Sequence, residues 1–252
     1  MIGTYLLRLR TLLLSVALVP LVAGAAIADE ALTSEERSQI EDVVREYLLE
    51  NPEIILEAIQ VLEQRERMAQ ENQRSGAIAA LVPTLTASPL TPVIGEADGD
   101  VTLIEFFDYQ CGYCKRFYPA LQEIMEEDDS LRVILVEFPI LGPASLTASR
   151  AALAAQQQNG YMDFHDALMA FEGRLSEEGI FETARAVGLD EDQLRADMED
   201  PRIMEYLSFT RDVASSLDVT GTPSMVVGDQ FVGGFIPAED LRALIASMRE
   251  QG

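Results

Sequence analysis

The chain has 252 residues, 48% of them apolar, enough for one large core or two smaller ones. A formal charge of −25 argues against a nucleic-acid backbone and against an anionic membrane surface, both of which call for Lys and Arg. With two Cys and one His, a four-ligand zinc centre is not expected, and neither is any other metal or organic cofactor.

Met1 to Ala28 reads as a cleavable signal peptide, with Arg8 and Arg10 before an apolar run from Thr11 to Val22 and an Ala26-Ile27-Ala28 cleavage site. The competing reading is a retained anchor, but the run is short for a span of ~20 residues. Export places the two cysteines in an oxidising, periplasmic compartment. The acid excess reads as solubility; the alternative is an acidic face for basic clients.

Residues 29–89 form a helical segment and linker ahead of a catalytic domain at 90–252. Thr33 and Glu36 form a capping box. Ile40, Val43, Val44, Tyr47 and Leu48 follow as one apolar stripe. Asn51-Pro52 is expected to cap and restart a helix, in which Ile55, Ala58, Ile59 and Leu62 continue the spacing. From Glu63 to Ser75 the chain is polar, a solvated helix or a linker, and Pro83, Pro89 and Pro92 punctuate the approach to the catalytic domain. Two short amphipathic helices cannot bury their stripes alone. They pack on copies of themselves, making a homo-oligomer, or on their own catalytic domain.

Val93-Ile94-Gly95 reads as a short edge strand and Val101 to Phe107 as a buried one. Phe117, Leu121 and Ile124 then recur at helical spacing, so Cys111 and Cys114 stand where a strand hands over to a helix. A helix N-terminus favours an anion, so Cys111 should titrate below the free value of ~8.5. Leu131 to Phe138 is the next strand. An all-helical stretch runs from about 145 to 217, and Met225 to Val232 forms a hairpin around Gly228-Asp229. The last helix opens at Ile236-Pro237 and buries Leu241, Leu244, Ile245 and Met248. Strands alternating with helices place the domain in the α/β class.

The run Glu105-Phe106-Phe107-Asp108-Tyr109, the C-x-x-C and the distant Gly221-Thr222-Pro223 together resemble the DsbA family of thiol–disulfide oxidoreductases. The resemblance implies a thioredoxin fold with an inserted helical subdomain. It also implies a redox pair with Cys111 as nucleophile and Cys114 as resolving thiol, a buried Glu105, and a Thr222-Pro223 loop facing the cysteines. Exported proteins would be the clients, with a membrane partner to renew the disulfide. The N-terminal segment resembles the oligomerisation region of the ScsC-like branch. Gly112-Tyr113 departs from the Pro-His pair of the strong oxidases and matches isomerases of the DsbC type.

Other readings weigh against these. A structural disulfide across so short a loop would restrict little chain entropy. The two thiolates could instead serve a non-enzymatic copper- or client-binding protein. Glu105 could point to solvent, Asp108 could be functional or a loop cap, and His165 reads as a surface or helix-packing residue.

Overall fold

The computed structural model describes residues 33–251; the signal-peptide reading of 1–28 lies outside them. The chain divides into two compact units, Met1–Val61 and Leu62–Gly252. Among the described residues no helix is long and apolar enough to cross a membrane.

The first unit holds helix α1 (Ser34–Glu50) and the start of α2 (Glu53–Ala79). The capping box is present: the Thr33 hydroxyl accepts from the Glu36 N–H, and the Glu36 carboxylate accepts from the Thr33 N–H at 2.9 Å. Asn51 does not cap α2. Its N–H and its Nδ2 both donate to the Tyr47 carbonyl at 2.9 Å, closing α1, and Pro52 precedes the first residue of α2. The side chain finds unpaired carbonyls behind it and uses them instead of the N–H groups ahead. No residue of α1 is buried; Val43 is 66% exposed and Tyr47 56%. The polar stretch 63–75 is helix, as expected of Gln, Glu, Arg, Met and Ala.

The second unit is built on a five-stranded sheet of order β1-β3-β2-β4-β5. Its strands are β1 (Val93–Gly95), β2 (Val101–Phe107), β3 (Leu131–Glu137), β4 (Ser224–Val227) and β5 (Gln230–Gly233). β2 and β3 are parallel and the other pairs antiparallel. Side chains alternate faces with period two. Leu103, Phe107, Val133, Leu135, Met225 and Val227 join one core with α4 (Gly112–Glu127) and α10 (Ala238–Gln251). Ile104, Phe106, Ile134, Val136 and Val226 join the other with Val213 and Leu217.

That second core also takes in Ile78, Leu81 and Leu85, from the end of α2 and from α3 (Leu81–Thr86). A boundary at 89/90 would cut through it. Pro83 sits in the first turn of α3, where a missing N–H costs nothing, so it does not mark a linker.

Between β3 and β4 lie α5 (Pro143–Ala155), a 3-10 turn (Gln156–Gln158), α6 (Tyr161–Ala170), α7 (Glu177–Ala186), α8 (Glu191–Asp197) and α9 (Pro201–Ser216). This is the expected helical insertion, begun two residues early because Pro143 opens α5. Ala148, Ala151, Ala152, Ala154 and Ala155 keep α5 thin enough to sit in the middle of it.

Candidate active site

β2 delivers the chain into a tight turn, with the Cys111 N–H donating to the Asp108 carbonyl at 2.9 Å, and α4 begins at once. Cys111 is the N-cap of α4: its sulfur accepts from the Cys114 N–H at 3.1 Å. Cys114, one turn in, is fully buried, and both thiols are free. The Cys111 thiol also lies 3.2 Å from the Thr222 carbonyl oxygen, and the Thr222–Pro223 peptide is cis. The structure thus brings together Cys111, Cys114, Thr222 and Pro223 across more than a hundred residues.

These surroundings pull the two thiols apart. A hydrogen bond from the Cys114 thiol lowers the Cys111 pKa most. The Thr222 side chain and the N–H groups of Cys114 and Tyr113 add to this against burial, leaving it at about 6. Cys114 goes the other way, far above the ordinary thiol range, because burial and then the Cys111 bond both favour its protonated form.

Glu105 lies in β2 on the α4 side of the sheet and is wholly buried, which sets aside the solvent-facing register. Neither carboxyl oxygen has a hydrogen-bond partner among the described residues. Burial, and then the negative charge of Cys111, raise its pKa from 4.5 to about 8. Below that midpoint the protonated form predominates, and where Glu105 does ionise its charge raises Cys114 further.

Asp108 is a loop cap. Its carboxylate accepts from the Gln110 N–H and the Ser145 hydroxyl at 2.7 Å, and from the Ile140 and Leu141 N–H groups at 2.9 Å. It ties the redox turn to the loop after β3. His165 is a packing residue but not a surface one. It is buried among Phe107, Tyr109, Tyr118 and Tyr161, and burial holds its pKa down near 3.

Sequence reasoning missed Glu137, a second buried carboxylate. It accepts from Ser149 Oγ at 2.6 Å, Tyr109 Oη at 2.9 Å and Tyr161 Oη at 3.0 Å. Tyr109 Oη also meets His165 Nδ1 at 2.9 Å. The residue before Gln110-Cys111 is therefore anchored in the helical insertion. The available signal was a charged residue in an apolar strand, the same signal that marked Glu105, but here it fell at the strand end where a solvated Glu is ordinary.

Residues 102–246 match the DSBA-like thioredoxin domain family. Residues 36–69 match the copper resistance protein ScsC N-terminal domain. A thioredoxin-like oxidoreductase from Silicibacter pomeroyi DSS-3 is 42% identical, with a TM-score of 0.64 over 66% of this chain and 96% of that one. A linker-deletion mutant of Proteus mirabilis ScsC is 25% identical, with a TM-score of 0.68 over 89% of this chain and 100% of that one. Among curated relatives, a Na(+)/H(+) antiporter NhaA 1 of Salinispora arenicola is 29% identical over 157 residues, 62% of this chain. The match spans only 24% of that antiporter's length. With a paired, unequally acidic C-x-x-C on this fold and a match across more than half its length, the chain belongs to the DSBA-like thioredoxin domain family.

Proposed function

We propose that the protein is a periplasmic thiol–disulfide oxidoreductase that forms and rearranges disulfides in exported proteins. The observation that carries this is the arrangement of the pair: the Cys111 sulfur caps α4 beside the Thr222 carbonyl, while Cys114 and Glu105 lie wholly buried behind it, which drives the two thiols apart in acidity. Cys111 is the nucleophile, Cys114 the resolving thiol, and Thr222-Pro223 the wall against which a client chain lies.

In the oxidising direction a client thiolate attacks Cys111 Sγ. The Cys111–Cys114 bond breaks, and Cys114 leaves with the electron pair and takes a proton from Glu105. A second client thiolate attacks the client sulfur, and Cys111 leaves as a thiolate. The client is oxidised by two electrons and the protein pair is reduced; a membrane redox partner re-oxidises it, and Glu105 regains its proton as Cys114 is deprotonated. Cys114→Ser is expected to accumulate mixed disulfides with exported proteins, and Cys111→Ser to accumulate none. Equal trapping by both would overturn the assignment.

The exposed stripes of the first unit favour a homo-oligomer, and isomerisation is proposed to depend on it. Burying them between chains gains ~25 cal/mol per Å² of apolar area. Light scattering should give residues 29–252 a mass above one chain, and residues 62–252, which keep the whole second core, a single chain. The shorter form should still reduce insulin but fail to repair scrambled ribonuclease.

The copper-linked description of the N-terminal match supports a second reading, two soft thiolates holding copper(I). Copper(I) titration with and without Cys111→Ser separates it from catalysis.

A further inference from the structure

Beside Cys111 the surface is apolar and carries a cation. Tyr113, between the two cysteines, is 57% exposed and rests on Phe235 with ring centroids 6.1 Å apart. Ile140 and Leu141, whose N–H groups Asp108 holds, are exposed as well. Over the two rings lies Arg116, its guanidinium carbon 5.1 Å from the Tyr113 centroid and 6.0 Å from that of Phe235. The neighbouring cation is occupied: Lys115 Nζ donates to the Phe171 carbonyl. Arg116 is exposed and has no ion pair or hydrogen-bond acceptor among the described residues.

A guanidinium held over an aromatic ring by cation–π attraction spends no N–H donor on that contact. Its N–H donors point outward in the plane and form a fork that matches a carboxylate. Contact with Tyr113 and Phe235 also limits the rotamer freedom that an exposed arginine otherwise loses on pairing.

We propose that Arg116, held by Tyr113 and Phe235, selects client segments that carry a carboxylate two to three residues from the reacting cysteine. This rests on the oxidoreductase reading of the same site. The spacing follows from geometry. Arg116 is five residues along α4 from Cys111, about 8 Å of helix rise, which an extended client chain covers in two to three residues at ~3.3 Å each. The chain's net charge of −25 acts the opposite way, favouring basic clients at long range. Exposed charges farther apart than ~8–10 Å are screened at physiological salt, so the contact at Arg116 decides.

The test uses single-cysteine peptides, each joined through its sulfur to thionitrobenzoate, with Glu, Gln or Lys placed one to four residues from the cysteine. The full chain carries Cys114→Ser, so the Cys111 thiolate attacks the peptide sulfur once, the thionitrobenzoate anion leaves, and its colour gives the rate. Peptides with Glu two or three residues away should react about three- to fivefold faster than their Lys counterparts, as one well-placed exposed ion pair permits. Arg116→Gln should bring that ratio near one and Arg116→Glu should invert it. Comparing ratios between variants cancels the effect of a nearby charge on the peptide sulfur itself. A ratio unmoved by Arg116→Gln, or faster Lys peptides in the unsubstituted background, overturns the proposal and leaves the oxidoreductase reading standing. If no peptide reacts, both fall.

Discussion

Glu105 and Glu137 are two wholly buried carboxyls on neighbouring parallel strands and on the same face of the sheet. Both have pKa values near 8, yet for different reasons. At Glu105 burial and the charge of Cys111 push upward and nothing opposes them. At Glu137 burial and Asp108 push upward while Ser149, Tyr109 and Tyr161 pull down through hydrogen bonds. One carboxyl is isolated among the described residues; the other is the hub of a satisfied network. Burial alone does not say which is which. The partner set does, because a buried polar group is costly where its hydrogen bonds are missing and stabilising where they are made.

The two should therefore respond to the same substitution with opposite signs. Glu137→Leu leaves the buried Ser149 and Tyr161 hydroxyls without their acceptor, at ~1–3 kcal/mol each, and Tyr109 with His165 Nδ1 alone. Denaturant unfolding is expected to show a loss of about 4 kcal/mol or more, with Glu137→Gln, which keeps an acceptor, losing less. A neutral result for Glu137→Leu would break the contrast.

Glu105→Leu removes two unpartnered oxygens and should raise stability, by about 2–3 kcal/mol at pH 7–8. The sign with pH follows from the raised pKa. The stability attached to protonated Glu105 is present in full below about 4.5 and is lost as pH rises through about 8. The gain from Glu105→Leu should therefore grow across that window. The same variant should slow thiol exchange at least ~100-fold if Glu105 moves the Cys114 proton. A more stable variant with undiminished exchange would remove Glu105 from the chemistry and leave it a mere burial defect.

The smallest effect separates the two by their neighbours. Cys111 charge raises Glu105 and is not among the causes acting on Glu137. Capping Cys111 with a neutral alkyl group should lower the Glu105 midpoint and leave Glu137 where it is. Carboxyl infrared bands followed against pH would show whether one moves or both.

The redox turn was legible because its signals are local: an apolar strand, a C-x-x-C and a helical stripe fall within Val101 to Ile124. Glu105 stood out for the same reason. Glu137 did not, because its partners come from the turn after β2, from α5 and from α6, at sequence separations of 12 to 28 residues. No local pattern carries such a network. The extent of the second core was missed for a different reason. Ile78, Leu81 and Leu85 stand at helical spacing and their signal was present, but three prolines nearby outweighed it. Arg116 was invisible because its importance lies in Phe235, which is distant in sequence.

The hydrogen bonds that converge on the Cys111 sulfur, from the Cys114 thiol foremost and from the N–H groups it caps, bear on its reduction potential. A midpoint near 6 means that at pH 7 the reduced protein is favoured by the ionisation of that one sulfur. Against an ordinary thiol this adds oxidising strength to the couple, on the order of 1 kcal/mol. Closing the disulfide forfeits the hydrogen bonds to that thiolate, the one from the Cys114 thiol first and those from the α4 N–H groups after it. That contribution fades as the pH falls toward 6, so the potential of the couple should depend on acidity in that range.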